Sequence, residues 1–409
     1  MTIKEMEGGV TAAKGFLAAS CAAGIKYKDR TDMALVYTKK PAAVAGVFTT
    51  NVVKAAPVLW DKEIVEAGGF VHAVVLNSGI ANACTGKEGK EINYFMAESM
   101  GKELKVKAEN VLTASTGVIG MQIKKEPLME GAKLLAKGLS DTTEAACDAA
   151  KAIMTTDTFP KQCAVSFEIG GKEVHIGGMS KGSGMIHPNM ATMLSVITTD
   201  VTIDGKLLQE VLSEDVKDSF NMISVDRDTS TNDTCVVLAN GEAGAPVIEA
   251  GSQELEDFKK ALSIVTKSLA KQQASDGEGA TKLVEVTVKN CKTKENAAIL
   301  SKSVITSNLV KTAMYGSDAN WGRILCALGY AGVDFDPEVI DLTIIAKGEE
   351  LILVENGVAT DYSEEKATEL LSSKEVSVLC DMKEGNASAT AWGCDLTYDY
   401  VKINGDYRS

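Results

Sequence analysis

Strand-like and helix-like segments alternate along this chain, and the alternation predicts an α/β fold. Two observations carry the prediction. In the first third, short apolar runs closed by glycine or polar residues are followed by alanine-rich stretches with helical spacing. The same mixture returns beyond residue 191. At 409 residues the chain is long enough for a large core and two structural units.

Taken in order, residues 34–38 (ALVYT), 42–50 (AAVAGVFTT) and 72–79 (HAVVLNSG) read as strands. Residues 127–139 and 143–154 read as helices. Residues 164–178 (AVSFEIGGKEVHIGG) read as a hairpin turning on Gly170-Gly171. In the second half Asp204 is placed to cap a helix carrying Leu207, Leu208, Val211, Leu212 and Val216. A longer helix is expected over 254–273, with Leu255, Phe258, Leu262, Val265 and Leu269 on one face. Residues 283–288 alternate as a strand, and 318–332 read as a capped helix ended by glycine. The tail from Asp395 reads as a strand and a short terminal segment.

The net charge of −14 repels phosphate backbones, which argues against nucleic acid as a partner. The first residues carry both acidic and basic side chains where a signal peptide needs an apolar core. No apolar run reaches the roughly 20 residues of a membrane span. A cytoplasmic protein is expected. The nine cysteines are odd in number and never spaced CxxC, so reduced thiols are expected, with Cys84 the best candidate for a reactive one. His72, His175 and His187 form no HExxH pair, and no phosphate loop, GxSxG elbow or GxGxxG is present.

Residues 181–200, KGSGMIHPNMATMLSVITTD, pose the functional question. A glycine-bearing loop with Pro188 runs into Ala191-Thr192 and then an apolar β-type run. Taken alone, the stretch reads first as a buried strand without chemistry, since threonine suits strands. Its chemical reading is an N-terminal nucleophile. A threonine at a chain start has its own base, an α-amine with a pKa near ~8. To become one, Thr192 must attack the Ala191 carbonyl and the resulting ester must hydrolyse. Other stretches supply companions. Residues 113–120 (TASTGVIG) set Ser115-Thr116-Gly117 after an apolar pair, so a hydroxyl and the Gly117 amide could serve as oxyanion donors, each such donor worth ~100- to 1000-fold in rate. Residues 154–161 (MTTDTFPK) gather three hydroxyls around Asp157, and 275–282 (SDGEGATK) set Glu278 between glycines. By itself each is also an ordinary junction or solvated turn.

Together these stretches resemble the ornithine acetyltransferase (glutamate N-acetyltransferase) family of arginine biosynthesis. The resemblance spans essentially the whole chain. It runs from GGVTAAKGFLAASCAAGIK through NSGIANACTG, STGVIG, MTTDTFPK, KGSGMIHPNMATML, SVDRDTSTNDT, DGEGATK and GSDANWGRI to INGDYRS. It implies the family's own aminopeptidase-like α/β fold, of the self-cleaving N-terminal-nucleophile type. It also implies cleavage between Ala191 and Thr192, giving an α chain of residues 1–191 and a β chain of 192–409. Two copies of each usually assemble as α2β2.

The residue roles implied are Thr192 as nucleophile, Thr116 and Gly117 as oxyanion hole, and Thr155, Lys181, Thr192, Glu278, Asn404 and Ser409 as substrate-binding positions. The reaction implied is a ping-pong acetyl transfer from N2-acetyl-L-ornithine to L-glutamate, with no metal and no cofactor. Some members also use acetyl-CoA as donor, a choice the sequence leaves open. Two positions depart from the pattern: Ile80 where a polar Asn is frequent, and Arg227 where glycine is common. An N-terminal-nucleophile amidohydrolase or aminopeptidase is the alternative, distinguished by release of acetate without glutamate. A non-catalytic metabolite-binding protein would leave the chain uncut.

Overall fold

The structure is a computed structural model that describes residues 2–187 and 193–406. Ala191, Thr192 and Ser409 lie outside the described residues. The backbone packs as two compact units. The first comprises Met1–Gly182, Pro188–Asn221 and Thr229–Leu269; the second comprises Ser183–His187, Met222–Asp228 and Ala270–Ser409. This division differs from the one at residues 191 and 192. Peptide cleavage would divide the covalent chain, whereas packing follows the sheets.

The described strands are β1 (Lys4–Met6), β2 (Phe16–Cys21), β3 (Met33–Phe48), β4 (Phe70–Asn77), β5 (Val111–Ser115), β6 (Lys161–Ile169), β7 (Lys172–Lys181), β8 (Leu194–Thr199), β9 (Ile223–Ser224), β10 (Thr234–Ala239), β11 (Leu283–Cys291), β12 (Asp341–Ala346), β13 (Glu349–Glu355), β14 (Val358–Ala359), β15 (Glu375–Asp381) and β16 (Ala387–Cys394). The helices are α1 (Ala56–Glu66), α2 (Gly86–Leu104), α3 (Lys125–Gly138), α4 (Thr143–Ala152), α5 (Gly205–Asp215), α6 (Gln253–Ser275), α7 (Lys294–Thr306), α8 (Asn308–Tyr315), α9 (Trp321–Gly329), α10 (Glu364–Leu371) and α11 (Tyr398–Gly405). Among the described residues no helix is long and apolar enough to cross a membrane.

The first unit holds one sheet in the order β1-β6-β7-β8-β10-β3-β4-β5, with β2 also on β3. The pairs β4–β5 and β8–β10 are parallel, and the others are antiparallel. The two strands expected at 34–38 and 42–50 are one long strand, β3. Lys39-Lys40-Pro41 interrupts the pattern because proline donates no hydrogen bond. The chain absorbs it as an irregularity in the β4 pairing between Tyr37 and Ala42. Both faces of the sheet are covered. Val74 and Leu76 of β4 point to the core that includes Ala146, Ala149 and Ala150 of α4. Ala73 and Val75 point to the core of Met96 and Met100 of α2 with Leu128 and Leu135 of α3. The period-2 alternation of β4 thus serves two apolar layers.

The β6–β7 hairpin turns on Gly170 and Gly171, with φ of +56° and +74°. Two consecutive positive φ values make the type I′ turn that the Gly-Gly pair predicts. Asp204 caps α5 as expected, accepting from the Lys206 and Leu207 amides at 2.9 and 3.3 Å.

The second unit carries a sheet ordered β14-β13-β12-β15-β11-β16-β9, with α7 packed on β11 and β16. One expectation fails here. The tail from Asp395 is not a strand; β16 ends at Cys394 and the tail forms α11. Asp395 turns inward, where its carboxylate accepts from the Thr281 amide at 2.8 Å and the Lys282 amide at 3.1 Å. The Thr397 hydroxyl donates to the Gly279 carbonyl at 2.7 Å. These two side chains end the pleat, and Asp399 then sits favourably in the first turn of a helix.

Candidate active site

The first unit places Thr116 and Gly117, which the resemblance implies as an oxyanion pair, just past the end of β5. The parallel register pairs Asn77 with Ser115, and the Thr116 amide then donates to the Asn77 carbonyl at 3.0 Å. Past that point the strand turns along residues 79–83. The Val118 amide donates to the Gly79 carbonyl at 3.1 Å, and the Gly120 amide to the Ala83 carbonyl at 3.0 Å. Gly117 has a φ of +128°, and a Cβ built there would lie 2.3 Å from the Gly79 carbonyl carbon. Only glycine fits, for both conformation and space. Among the described residues, no hydrogen bond is made by the Thr116 hydroxyl or the Gly117 amide. Both are half-buried donors that remain open.

Two asparagines not singled out from the sequence hold this turn. The Ser115 hydroxyl donates to Asn77 Oδ1 at 2.7 Å, and Asn77 Nδ2 donates to the Ile80 carbonyl at 2.9 Å. Asn232 Nδ2 donates to the Ser115 carbonyl at 2.8 Å. Ile80, the departure from the family pattern, is buried in the α2–α3 core layer, and its main chain bridges Val118.

Thr155 and Lys181 meet through Asp157. The Thr155 amide donates to Asp157 Oδ2 at 3.0 Å, and the Lys181 ammonium lies 3.9 Å from the same oxygen. Asp157 Oδ1 accepts from Lys161 Nζ at 2.7 Å and from the Gly182 amide at 2.7 Å. The Asp157 and Lys161 side chains are fully buried. Burial pushes the Asp157 carboxyl up. The ammoniums of Lys181 and Lys161 and the Thr155 amide outweigh it and hold the group far below the usual carboxylate range. Asp157 and Lys161 were legible only as a polar turn, because an acid and a lysine four residues apart usually mark a solvated face.

Within the second unit, Glu278 is buried and not part of a solvated turn. Its amide donates to the Ser183 carbonyl at 2.9 Å, and its Oε2 accepts from Asn404 Nδ2 at 2.6 Å. Gly184 packs on the carboxylate: a Cβ there would lie 2.3 Å from Glu278 Cδ. The same stretch is clamped by Asp226, whose carboxylate accepts from the Met185 amide at 2.6 Å and the Ile186 amide at 2.8 Å. Arg227 has a φ of +71°, a conformation that explains why glycine suits the position. His187 Nδ1 lies 3.1 Å from the Ser224 hydroxyl. Burial, with Lys302 and Arg227 nearby, lowers its pKa to about 4, so it is neutral at neutral pH. Cys84 is exposed.

The ArgJ family model matches residues 17–409. The chain belongs to the ArgJ family. The arginine biosynthesis bifunctional protein ArgJ of Caldanaerobacter subterraneus is 48% identical over 99% of this chain and 99% of its own. The protein of that name from Symbiobacterium thermophilum is 50% identical, again over 99% of each. Among solved structures, the arginine biosynthesis bifunctional protein ArgJ of Bacillus halodurans is 45% identical. That chain covers 51% of this one and 96% of itself, with a TM-score of 0.49. ArgJ membership makes the protein an acyltransferase of arginine biosynthesis, as the resemblance implied.

Proposed function

We propose that the protein transfers the acetyl group of N2-acetyl-L-ornithine to L-glutamate through an acetyl ester on Thr192. In this reading the chain first cuts itself between Ala191 and Thr192, and the freed α-amine then serves as the base of the nucleophile. Thr192 attacks the acetyl carbonyl, ornithine leaves, and glutamate takes the acetyl group in a second half-reaction. The observation that carries the reading is the pair of open donors at the end of β5. Among the described residues the Thr116 hydroxyl and Gly117 amide make no hydrogen bond, and Gly117 is the one residue type its position admits. Such donors stabilise the oxyanion that both half-reactions develop.

The charged groups support amino-acid substrates. Asp157 serves two ammoniums, so Lys161, Asp157 and Lys181 together carry one net positive charge. A substrate carboxylate suits Lys181, with Thr155 beside it. Glu278, steadied by Asn404, suits an ammonium group. Ser409 belongs to the proposed binding set by resemblance. No cofactor is assigned; acetyl-CoA would enter as a second donor substrate. The α and β chains of one precursor would stay together, two of each, in the cytoplasm.

The experiment is to mix the protein with N2-acetyl-L-ornithine without glutamate, quench, and map the peptides. The reading expects an added acetyl group on the peptide that begins at Thr192, discharged when glutamate is supplied. Release of acetate at the same rate with and without glutamate would favour the amidohydrolase instead. Full transfer by Thr192→Ala would contradict the mechanism.

A further inference from the structure

The two amino acids of this reaction share an α-carboxylate and differ in the charge of their side chains. Ornithine's ends in an ammonium, glutamate's in a second carboxylate. Within the first unit, Lys161, Asp157 and Lys181 sum to one positive charge, which matches the carboxylate that both share. Glutamate's second carboxylate calls for a further cation.

The loop between β2 and β3 holds two. Lys26 and Arg30 are half-buried, and among the described residues neither makes an ion pair. Asp32 pins the loop. Its carboxylate accepts from the Ala23 amide at 2.7 Å and the Ile25 amide at 2.6 Å, and its carbonyl from the Ser78 amide at 2.9 Å. With both carboxylate oxygens so engaged, Asp32 accepts no hydrogen bond from Arg30. The Lys26 stem lies across Gly79: a Cβ built there would sit 3.0 Å from Lys26 Cβ and 4.0 Å from its Cδ. Gly117 packs on that same Gly79, so Lys26 is one residue away from the amide assigned to the oxyanion. The Lys26 ammonium donates to the Tyr27 hydroxyl and stands 4.5 Å from the centre of that exposed ring. Arg30 reaches the Thr155 segment, where its Nη2 donates to the Met154 carbonyl at 2.6 Å and the Thr155 carbonyl at 3.5 Å. Its Nη1 and Nε make no hydrogen bond among the described residues. A guanidinium seated on carbonyls with donors left open is pre-organised for a carboxylate. The chain has 56 acidic residues, so two half-buried cations without a carboxylate partner call for one from a ligand.

We propose that Lys26 and Arg30 receive the side-chain carboxylate of glutamate and so select the acceptor. The assignment rests on the reading that acetyl passes from N2-acetyl-L-ornithine to L-glutamate. Arg30 supplies a fixed fork and Lys26 a point charge on a flexible stem. Both repel the side-chain ammonium of ornithine. Donor and acceptor are thus told apart by the group at the far end of the side chain, while the shared α-carboxylate stays with Lys181.

The test compares glutamate with glutamine, its uncharged isostere, as acetyl acceptor from N2-acetyl-L-ornithine. Lys26→Gln and Arg30→Gln are made singly and together in the full chain. Wild type should prefer glutamate. Each single substitution should lower kcat/KM for glutamate about 10- to 100-fold, chiefly through KM, and shrink the preference over glutamine by a similar factor. Acetyl loading from N2-acetyl-L-ornithine, read in single turnover without acceptor, should slow far less. A change that only loosened the loop would lower both acceptors and the loading step alike, and that result would overturn the assignment. So would a glutamate preference in the double variant within about twofold of wild type. If the double variant does not fold, as judged by circular dichroism, the two single ones decide by the same criterion. A wild-type protein that moves no acetyl group to glutamate would sink the transfer reading itself, and the acceptor assignment with it.

Discussion

Replacing Gly117 with alanine tests the oxyanion hole through backbone geometry. The added Cβ would meet the Gly79 carbonyl carbon at 2.3 Å, its oxygen at 2.4 Å and the Ile80 nitrogen at 2.7 Å. All three are main-chain atoms, so no side-chain rotation relieves the clash. The φ of +128° is also closed to alanine at a cost of about 1–3 kcal/mol. The turn must shift, and the Gly117 amide moves with it. Loss of one oxyanion donor lowers the rate about 100- to 1000-fold, or about 2.7–4 kcal/mol of barrier. Gly117→Ala should therefore cut kcat for acetyl transfer by at least that factor and also lower the unfolding temperature. Thr116→Ala should lower kcat over the same range without the loss of stability, since it removes a hydroxyl and adds nothing. Gly120→Ala is the control: its φ of +83° costs something, but its Cβ would meet nothing within 4 Å. The assay is initial-rate transfer to labelled glutamate beside thermal unfolding of each variant. Gly117→Ala with kcat within tenfold of wild type would refute the assignment of that amide.

Three further outcomes follow from buried charges. Asp61 is fully buried; its Oδ1 accepts from the Thr113 amide at 2.8 Å, and its Oδ2 has no partner among the described residues. Burial raises its pKa well above the usual carboxylate value, only partly opposed by Thr113. Its contribution to stability is thus complete below about pH 4 and falls as pH rises toward the folded pKa, by up to about 1.4 kcal/mol per pH unit. Asp61→Asn keeps the acceptor and cannot ionise, so denaturant titrations should show its advantage over wild type growing with pH. Lys161→Met breaks an ion pair buried on both sides and should cost about 3–5 kcal/mol in the same assay. Gly184→Ala places a Cβ against the Glu278 carboxylate and should reproduce Glu278→Gln: KM raised roughly tenfold or more, with kcat less affected.

Local signals carried most of the fold. The Gly170-Gly171 hairpin, the Asp204 cap and the apolar stripe of α6 are each decided by a few neighbouring residues. They stand where the pattern puts them. The tail failed because its local pattern suits a strand, while Asp395 and Thr397 bond to residues more than 110 positions away. The joining of two predicted strands into β3 was hidden by Pro41, which only pairing with β4 accommodates. At the site, the Gly117 amide, the hydroxyls around Asp157 and Glu278 stood out in their own stretches, while the roles of Thr116, Thr155, Lys181, Glu278 and Asn404 came through the family resemblance. The groups that position them were not evident. Asp157, Lys161 and Asn232 lie in polar stretches whose composition looks solvated, and their burial depends on sheet order. That order, with β8 beside β10 and β4 beside β5, is set by contacts no local pattern expresses.

The central claim is that Thr192 becomes a chain start, and denaturing mass spectrometry of the purified protein with N-terminal sequencing tests it most directly. From chain length the account predicts fragments of about 20 and about 23 kDa. The heavier should begin Thr-Met-Leu-Ser. A single chain of 409 residues with full acetyl transfer would contradict the account, because Thr192 would then be acting without the amine that makes it a nucleophile.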